Sequence, residues 1–330
     1  MLSPQRLSLF REVVRCGSLA AAARSLSFTQ SAISQQIAAL EREAGVPLLE
    51  RNHRGVRATA AGRILARHAD RIVAQLREAE RELAAAAVGA AGDVRVAAFP
   101  TAAAALVTRA IAEAERRQPQ IGVTLIEADP DESLPLLRSG EIDFALDFDY
   151  DVRPIELGDD VIVLPLLSED LLVALPAESP LARRRRLCLS DLRQEGWIGG
   201  GYGCTEILQL VCAEAGFTPK LVFECNDYAI AQGLIASGVG IALIPALVLA
   251  NLRSDVVARP VSDVRVRRRI RVLRRRDAYS LPAADRVLAL LSELAQRDAS
   301  SAAWRNTIHV QPGDAEPRGL DAVSRYATGT

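Results

Sequence analysis

The apolar residues of this chain keep a helical period from Leu7 to Ala86, and that period gives way at Val88–Gly92. Beyond Asp93, apolar runs of four to eight residues alternate with helical stretches. A chain broken in this way folds into two different architectures, all-helical first and α/β second.

In the first segment Leu7, Phe10 and Val14 line one helical face. Gly17-Ser18 ends that helix, and Ser18 is a good N-cap for the next, which carries Leu19, Ala22, Ala23 and Leu26. Ser27-Phe28-Thr29 supplies a turn, with Thr29 as N-cap of a third helix. In that helix Ile33, Ile37, Leu40 and Ala44 share a narrow arc, while Ser31, Ser34, Gln35, Ala38 and Arg42 point the other way and Gln30 flanks them. Arg51, Arg54 and Arg57 follow in a short basic hairpin.

These side chains suit a DNA groove. Glutamine bonds adenine bidentately, serine bonds base edges or phosphate, and arginines in a loop hold phosphates. Residues 1–68 hold ten arginines against four acidic side chains, a balance of +6 in a chain whose net charge is −1. The positive charge is thus concentrated on this module. A three-helix bundle with a merely polar surface has the same pattern, and spacing alone leaves that open.

The segment resembles the N-terminal winged helix-turn-helix of LysR-type transcriptional regulators. The match rests on Phe10, Gly17-Ser18, Ala22-Ala23, Leu26, Gln30-Ser31-Ala32-Ile33-Ser34, Gln36-Ile37, Leu40-Glu41, Gly45-Val46-Pro47-Leu48, Arg51 and Thr59-Ala60-Ala61-Gly62, with Leu49 departing from the usual Phe. The resemblance implies a sequence-specific regulator of transcription that contacts double-stranded DNA through Thr29, Gln30, Ser31, Ser34 and Gln35, with Arg51 and Arg54 in the wing. RNA polymerase is an expected further partner.

Residues 60–87 lack proline, and Leu65, Ala69, Ile72, Leu76, Ala79 and Leu83 are spaced four and three apart. That is a heptad seam on a helix about 40 Å long. It serves either a partner helix or the helix's own domain. The resemblance favours a homodimer or homotetramer, which also holds two recognition helices at half-site spacing.

In the second half DVRVAAFP, GVTLIEAD, DFALDFD, DLLVALP, LVFECN and GIALIP read as strands, with helices near 102–117, 131–139, 204–215, 227–237 and 281–296. This predicts a mainly parallel sheet in two lobes, with ligands beyond the strand ends. GVGIALIP at 238–245 and LRSGEIDFAL at 137–146 resemble the effector-binding domain of the same family, which is similar to periplasmic solute-binding proteins with two Rossmann-like lobes. The resemblance covers residues 3–297. The expected organisation is a winged helix-turn-helix over 1–59, a linker helix over 60–88, a hinge over 89–92 and an effector domain over 93–297. Within the last, lobe I takes 93–163 plus 267–297 and lobe II takes 164–266, with crossovers near 161–168 and 261–270. Residues 298–330 read as a disordered tail.

Candidate effector contacts lie at strand ends: Thr101, Asp147, the turn Gly200-Gly201-Tyr202 with Thr205, and Asn226-Asp227. Asp227 is equally readable as an N-cap. Free N–H groups in a glycine turn would favour a small anionic effector. Arg265, Arg267, Arg268, Arg269 and Arg271 read as arginines on a solvated strand face, and Arg183 to Arg186 as an exposed turn.

With 49% hydrophobic and 25% charged residues and no long apolar segment, the chain reads as globular and cytoplasmic, with no membrane partner. No cofactor loop, metal spacing or nucleophile–base signature stands out. An enzyme fused to a DNA-binding module is therefore a remote alternative. The five cysteines are odd in number and lack metal spacing. A thiol redox regulator pairing Cys204 with Cys212 is the other alternative, although eight residues along one helix separate the two by about 12 Å.

Overall fold

A computed structural model describes residues 2–52, 55–88, 92–278, 281–300 and 308–310. The chain divides into two compact units, residues 1–92 with 135–142, and the remainder. Arg54 and residues 89–91 of the expected hinge lie outside the described residues.

The first unit opens with α1 (Pro4–Cys16), α2 (Leu19–Ser25) and α3 (Gln30–Ala44). Their apolar arcs meet in one core of Leu7, Phe10, Val13, Ala22, Ile33, Ile37 and Leu40. Gly17 ends α1 at φ +61° and donates its N–H to the Val13 carbonyl. The Ser18 side chain then accepts from the Ala21 N–H to start α2. A hairpin of β1 (Leu49–Asn52) and β2 (Gly55–Ala58) follows. Its Val56 N–H donates to the Gly17 carbonyl at 2.8 Å. A Cβ at Gly55 would stand 2.5 Å from that same oxygen, so glycine is required where the wing meets the first turn.

Helix α4 runs Ala60–Val88 without interruption. Its first turns lie on the module's own core: Ala69 is fully buried and Leu65 packs beside it. Of the heptad seam, Ile72, Leu76, Ala79 and Leu83 are exposed. Ala69 is therefore not available to a partner helix, because the winged module already covers it.

The second unit is built on a sheet of order β4-β3-β5-β11-β6-β9-β7-β8. Its strands are β3 (Asp93–Ala98), β4 (Gly122–Glu127), β5 (Phe144–Tyr150), β6 (Val161–Pro176), β7 (Gly196–Gly199), β8 (Lys220–Glu224), β9 (Ile241–Pro245), β10 (Val256–Arg259), β11 (Arg267–Arg275) and β12 (Ile308–Val310). The helices are α5 (Pro100–Ala102), continued through a π turn at Ala103–Val107 into α6 (Thr108–Arg117), then α7 (Pro130–Arg138), α8 (Cys204–Glu214), α9 (Tyr228–Ala236) and α10 (Pro282–Ser300). No helix among the described residues is long and apolar enough to cross a membrane.

The sheet is mixed, not mainly parallel. Strands β4-β3-β5 and β9-β7-β8 form two parallel sets. Antiparallel pairing of β11 with β5 and β6, and of β6 with β9, joins them. The sixteen-residue β6 thus serves both halves: Val161–Asp170 pairs with β11, and Leu171–Ala174 with β9. The expected tail is also corrected. Helix α10 extends to Ser300, and Ile308–Val310 adds β12 to Leu167–Glu169 of β6, where the backbone of a long strand still had an open edge. The rest of the tail lies outside the described residues.

Candidate functional site

Two sites emerge, one in each unit. On α3 the Thr29 side chain accepts from the Ala32 N–H at 3.2 Å and lies 3.1 Å from the Ser31 hydroxyl. This cap fixes the first turn, on which Gln30 and Ser31 are exposed. Gln35 is exposed one turn on, and Ser34 is half-buried between them. At the other end of the helix the Glu41 carboxylate accepts from the Leu48 and Leu49 N–H groups at 2.8 and 3.1 Å, tying α3 to the wing. The polar face is thereby an open surface on a helix tied down at both ends. Phe28, 54% exposed in the turn just before it, adds an apolar group to the same neighbourhood.

In the second unit a cavity of about 20 Å³, room for one water, lies where the two halves of the sheet meet. Of the expected contacts Thr101, Gly201, Tyr202 and Asn226 border it, together with Phe99, Phe148, Tyr228, Cys204, Asp129 and Arg268, which the sequence reading does not offer as effector contacts. The rings interlock edge to face: Phe99 to Phe148 at 4.7 Å, and Phe148 to Tyr202 at 5.9 Å. Arg268 is 2% exposed. Its guanidinium sits 4.8 and 4.7 Å from the Phe99 and Phe148 ring centres. It pairs with the fully buried Glu169 at 2.6 Å and donates to the Thr101 hydroxyl at 2.7 Å. Burial pushes the Glu169 carboxyl above its ordinary range, and the Arg268 charge opposes that. The Cys204 sulfur lies 3.3 Å from the Tyr150 hydroxyl and 3.8 Å from that of Tyr228. Burial, with Cys204 next to it, raises both tyrosines well above their usual value.

Several expected contacts have other occupations. Asp147 is buried on the opposite face of β5 from Phe148, because successive strand residues alternate. It lies 3.6 Å from Arg271, and burial raises its carboxyl to about 6. The glycine turn offers no free amides at its two glycines: the Gly200 N–H donates to Thr205 Oγ1 at 2.9 Å, and that of Gly201 to Asn226 Oδ1 at 2.8 Å. Gly200 also takes φ +132° with the Cys225 carbonyl 1.9 Å from where a Cβ would stand, so the turn is a packing device. Asp227 caps α9, accepting from the Ala229 N–H at 2.6 Å. The arginines at 265–271 all face acidic partners, and of these Arg268 is buried while Arg265 stays exposed. Arg265 and Arg267 reach Asp170, Arg268 reaches Glu169, and Arg269 and Arg271 reach Asp149. Arg183 to Arg186 are exposed.

Residues 4–63 match the model of the bacterial regulatory helix-turn-helix proteins of the lysR family, and residues 87–296 match the LysR substrate binding domain. The chain belongs to the LysR family. Among curated relatives, this LysR-family regulator is 30% identical to the probable transcriptional regulator LrrA of Synechococcus elongatus, over 77% of this chain and 84% of the relative. It is 34% identical to the transcriptional regulator ShiR of Corynebacterium glutamicum, over 67% and 75%. Among solved structures, full-length CbnR in complex with its target DNA is 25% identical, with a TM-score of 0.57 over 88% of this chain and 99% of that one. The Corynebacterium glutamicum OxyR C206 mutant is also 25% identical, with a TM-score of 0.56 over 93% and 95%. The protein is a DNA-binding transcriptional regulator with an effector-binding domain.

Proposed function

We propose that Gln30, Ser31, Ser34 and Gln35 read base edges in the major groove, with Thr29 fixing the helix start and Arg51 and Arg54 serving phosphates. The capped, exposed polar face of α3 carries this reading. Two copies pair through Ile72, Leu76, Ala79 and Leu83 of α4, which are exposed among the described residues. The regulator works in the cytoplasm, has no catalytic activity of its own, and acts on RNA polymerase at the promoters it occupies.

The effector is a small molecule that enters between the two halves of the sheet, against the Phe99, Phe148 and Tyr202 rings and the Thr101–Arg268 floor. A space of about 20 Å³ holds no metabolite, so entry requires the halves to part. The differential affinity for the parted arrangement is the regulatory signal. An acceptor group such as a carboxylate suits the Arg268 end. The Gly200 and Gly201 amides are occupied by Thr205 and Asn226 and are not offered to an anion. Mapping the bound sites across the source genome tests the whole reading. Sharp occupancy upstream of a few genes is expected, and uniform coverage of the genome would contradict it.

A second reading rests on Cys204, whose thiol lines the cavity beside two tyrosine hydroxyls. Cys212 is fully buried, and burial raises its thiol to about 12, which disfavours the thiolate that a disulfide partner would need. A redox response of DNA binding that vanishes in Cys204→Ser would favour this reading over a metabolite ligand.

A further inference from the structure

The polar floor of the cavity continues as a chain of hydrogen bonds through the middle of the sheet. The Thr101 hydroxyl, at the start of the helix that follows β3, accepts from Arg268 Nη2 at 2.7 Å. Arg268 Nε, on β11, donates to Glu169 Oε1 at 2.8 Å. Glu169, on β6, accepts from the Leu247 N–H through its other oxygen at 2.6 Å. Leu247 belongs to the 3-10 turn Ala246–Asn251 that follows β9. The chain therefore starts in the β4-β3-β5 half, crosses both shared strands and ends in the β9-β7-β8 half.

Hydrophobic replacement of such a pair is often neutral or favourable, because taking two charges out of water offsets their mutual attraction. Packing alone does not account for a charge pair at the junction of two halves. We propose that Arg268 is the positioning residue of the cleft: it couples the Thr101 rim to the Glu169–Leu247 side, so that a change at Thr101 is felt on the far half of the sheet. This deepens the cleft reading above and rests on it for its biological meaning, although the coupling is measurable without DNA.

Hydrogen–deuterium exchange on the full-length protein tests the coupling. Thr101→Val removes the acceptor with little change of shape. Losing a hydrogen bond to a charged group should accelerate exchange about tenfold, not only in residues 100–107 but also in the segment 246–251 that holds Leu247. Thr101→Ser restores the hydroxyl and should restore protection in both. In the double variant Glu169→Met with Arg268→Met, both charges leave together, and adding Thr101→Val should no longer affect 246–251. Acceleration confined to 100–107, or the same effect on 246–251 with and without the charge pair, would overturn the proposal. Failure to bind specific DNA would defeat the regulator reading and leave this result untouched.

Discussion

Glu12 is 7% exposed inside the winged module and accepts from Arg15 at 2.8 and 2.5 Å. The Arg15 hydrogen bonds lower its carboxyl from 4.5 to about 2, against the opposing effect of burial. A depressed carboxylate stabilises the fold above its unfolded value and loses that contribution as the pH falls through the folded one. The module should therefore lose stability between pH 4.5 and about 2. Glu12→Gln should lower stability at neutral pH by about 1–3 kcal/mol and flatten this acid limb in thermal melts taken across pH. An unchanged limb would show that the pair contributes nothing. At this scale the sequence was legible where a residue acts through its neighbours in the chain, as the caps Ser18, Thr29 and Asp227 do. Arg268 was not legible, because its burial depends on Glu169 and two rings brought from distant strands. An arginine-rich strand read alone carries no sign that an acidic strand faces it.

Period and punctuation revealed most of the elements. The helices of the winged module and the alternation of the second half follow from apolar spacing and from glycine and serine stops. The extent of β6 did not, since Val161–Pro176 is continuous only because two different partners pair with its two ends. Strand β12 was missed for the same reason, since an edge offered by another strand decides it. On α4 the spacing predicts the helix that forms but not its surroundings: Ala69 lies on the chain's own core, while Ile72, Leu76 and Leu83 are exposed. Leu76→Glu with Leu83→Glu should place like charges on the proposed seam and shift sedimentation toward the monomer. The melting of the winged module should stay unchanged, because neither side chain packs in it. A variant that assembles like the parent would remove this seam from the account.

For the whole molecule, charge is unevenly divided, with +6 on residues 1–68 in a chain of net charge −1. Affinity for any DNA should therefore fall steeply with salt, while discrimination among sequences depends on the α3 face. Fold class and family were both legible from the helix-turn-helix spacing and the strand patterns. The cleft was legible only in outline, because its walls are aromatic side chains from β5, α9 and the turn before α8, and its floor is a charge pair across the sheet. The most direct measurement compares operator and random DNA, at one salt concentration, for the parent and for Gln30→Ala with Ser34→Ala. Each lost base contact should cost about 1–3 kcal/mol of discrimination, so the operator should weaken far more than random DNA. Equal weakening on both would contradict the assignment of α3 as the base-reading helix.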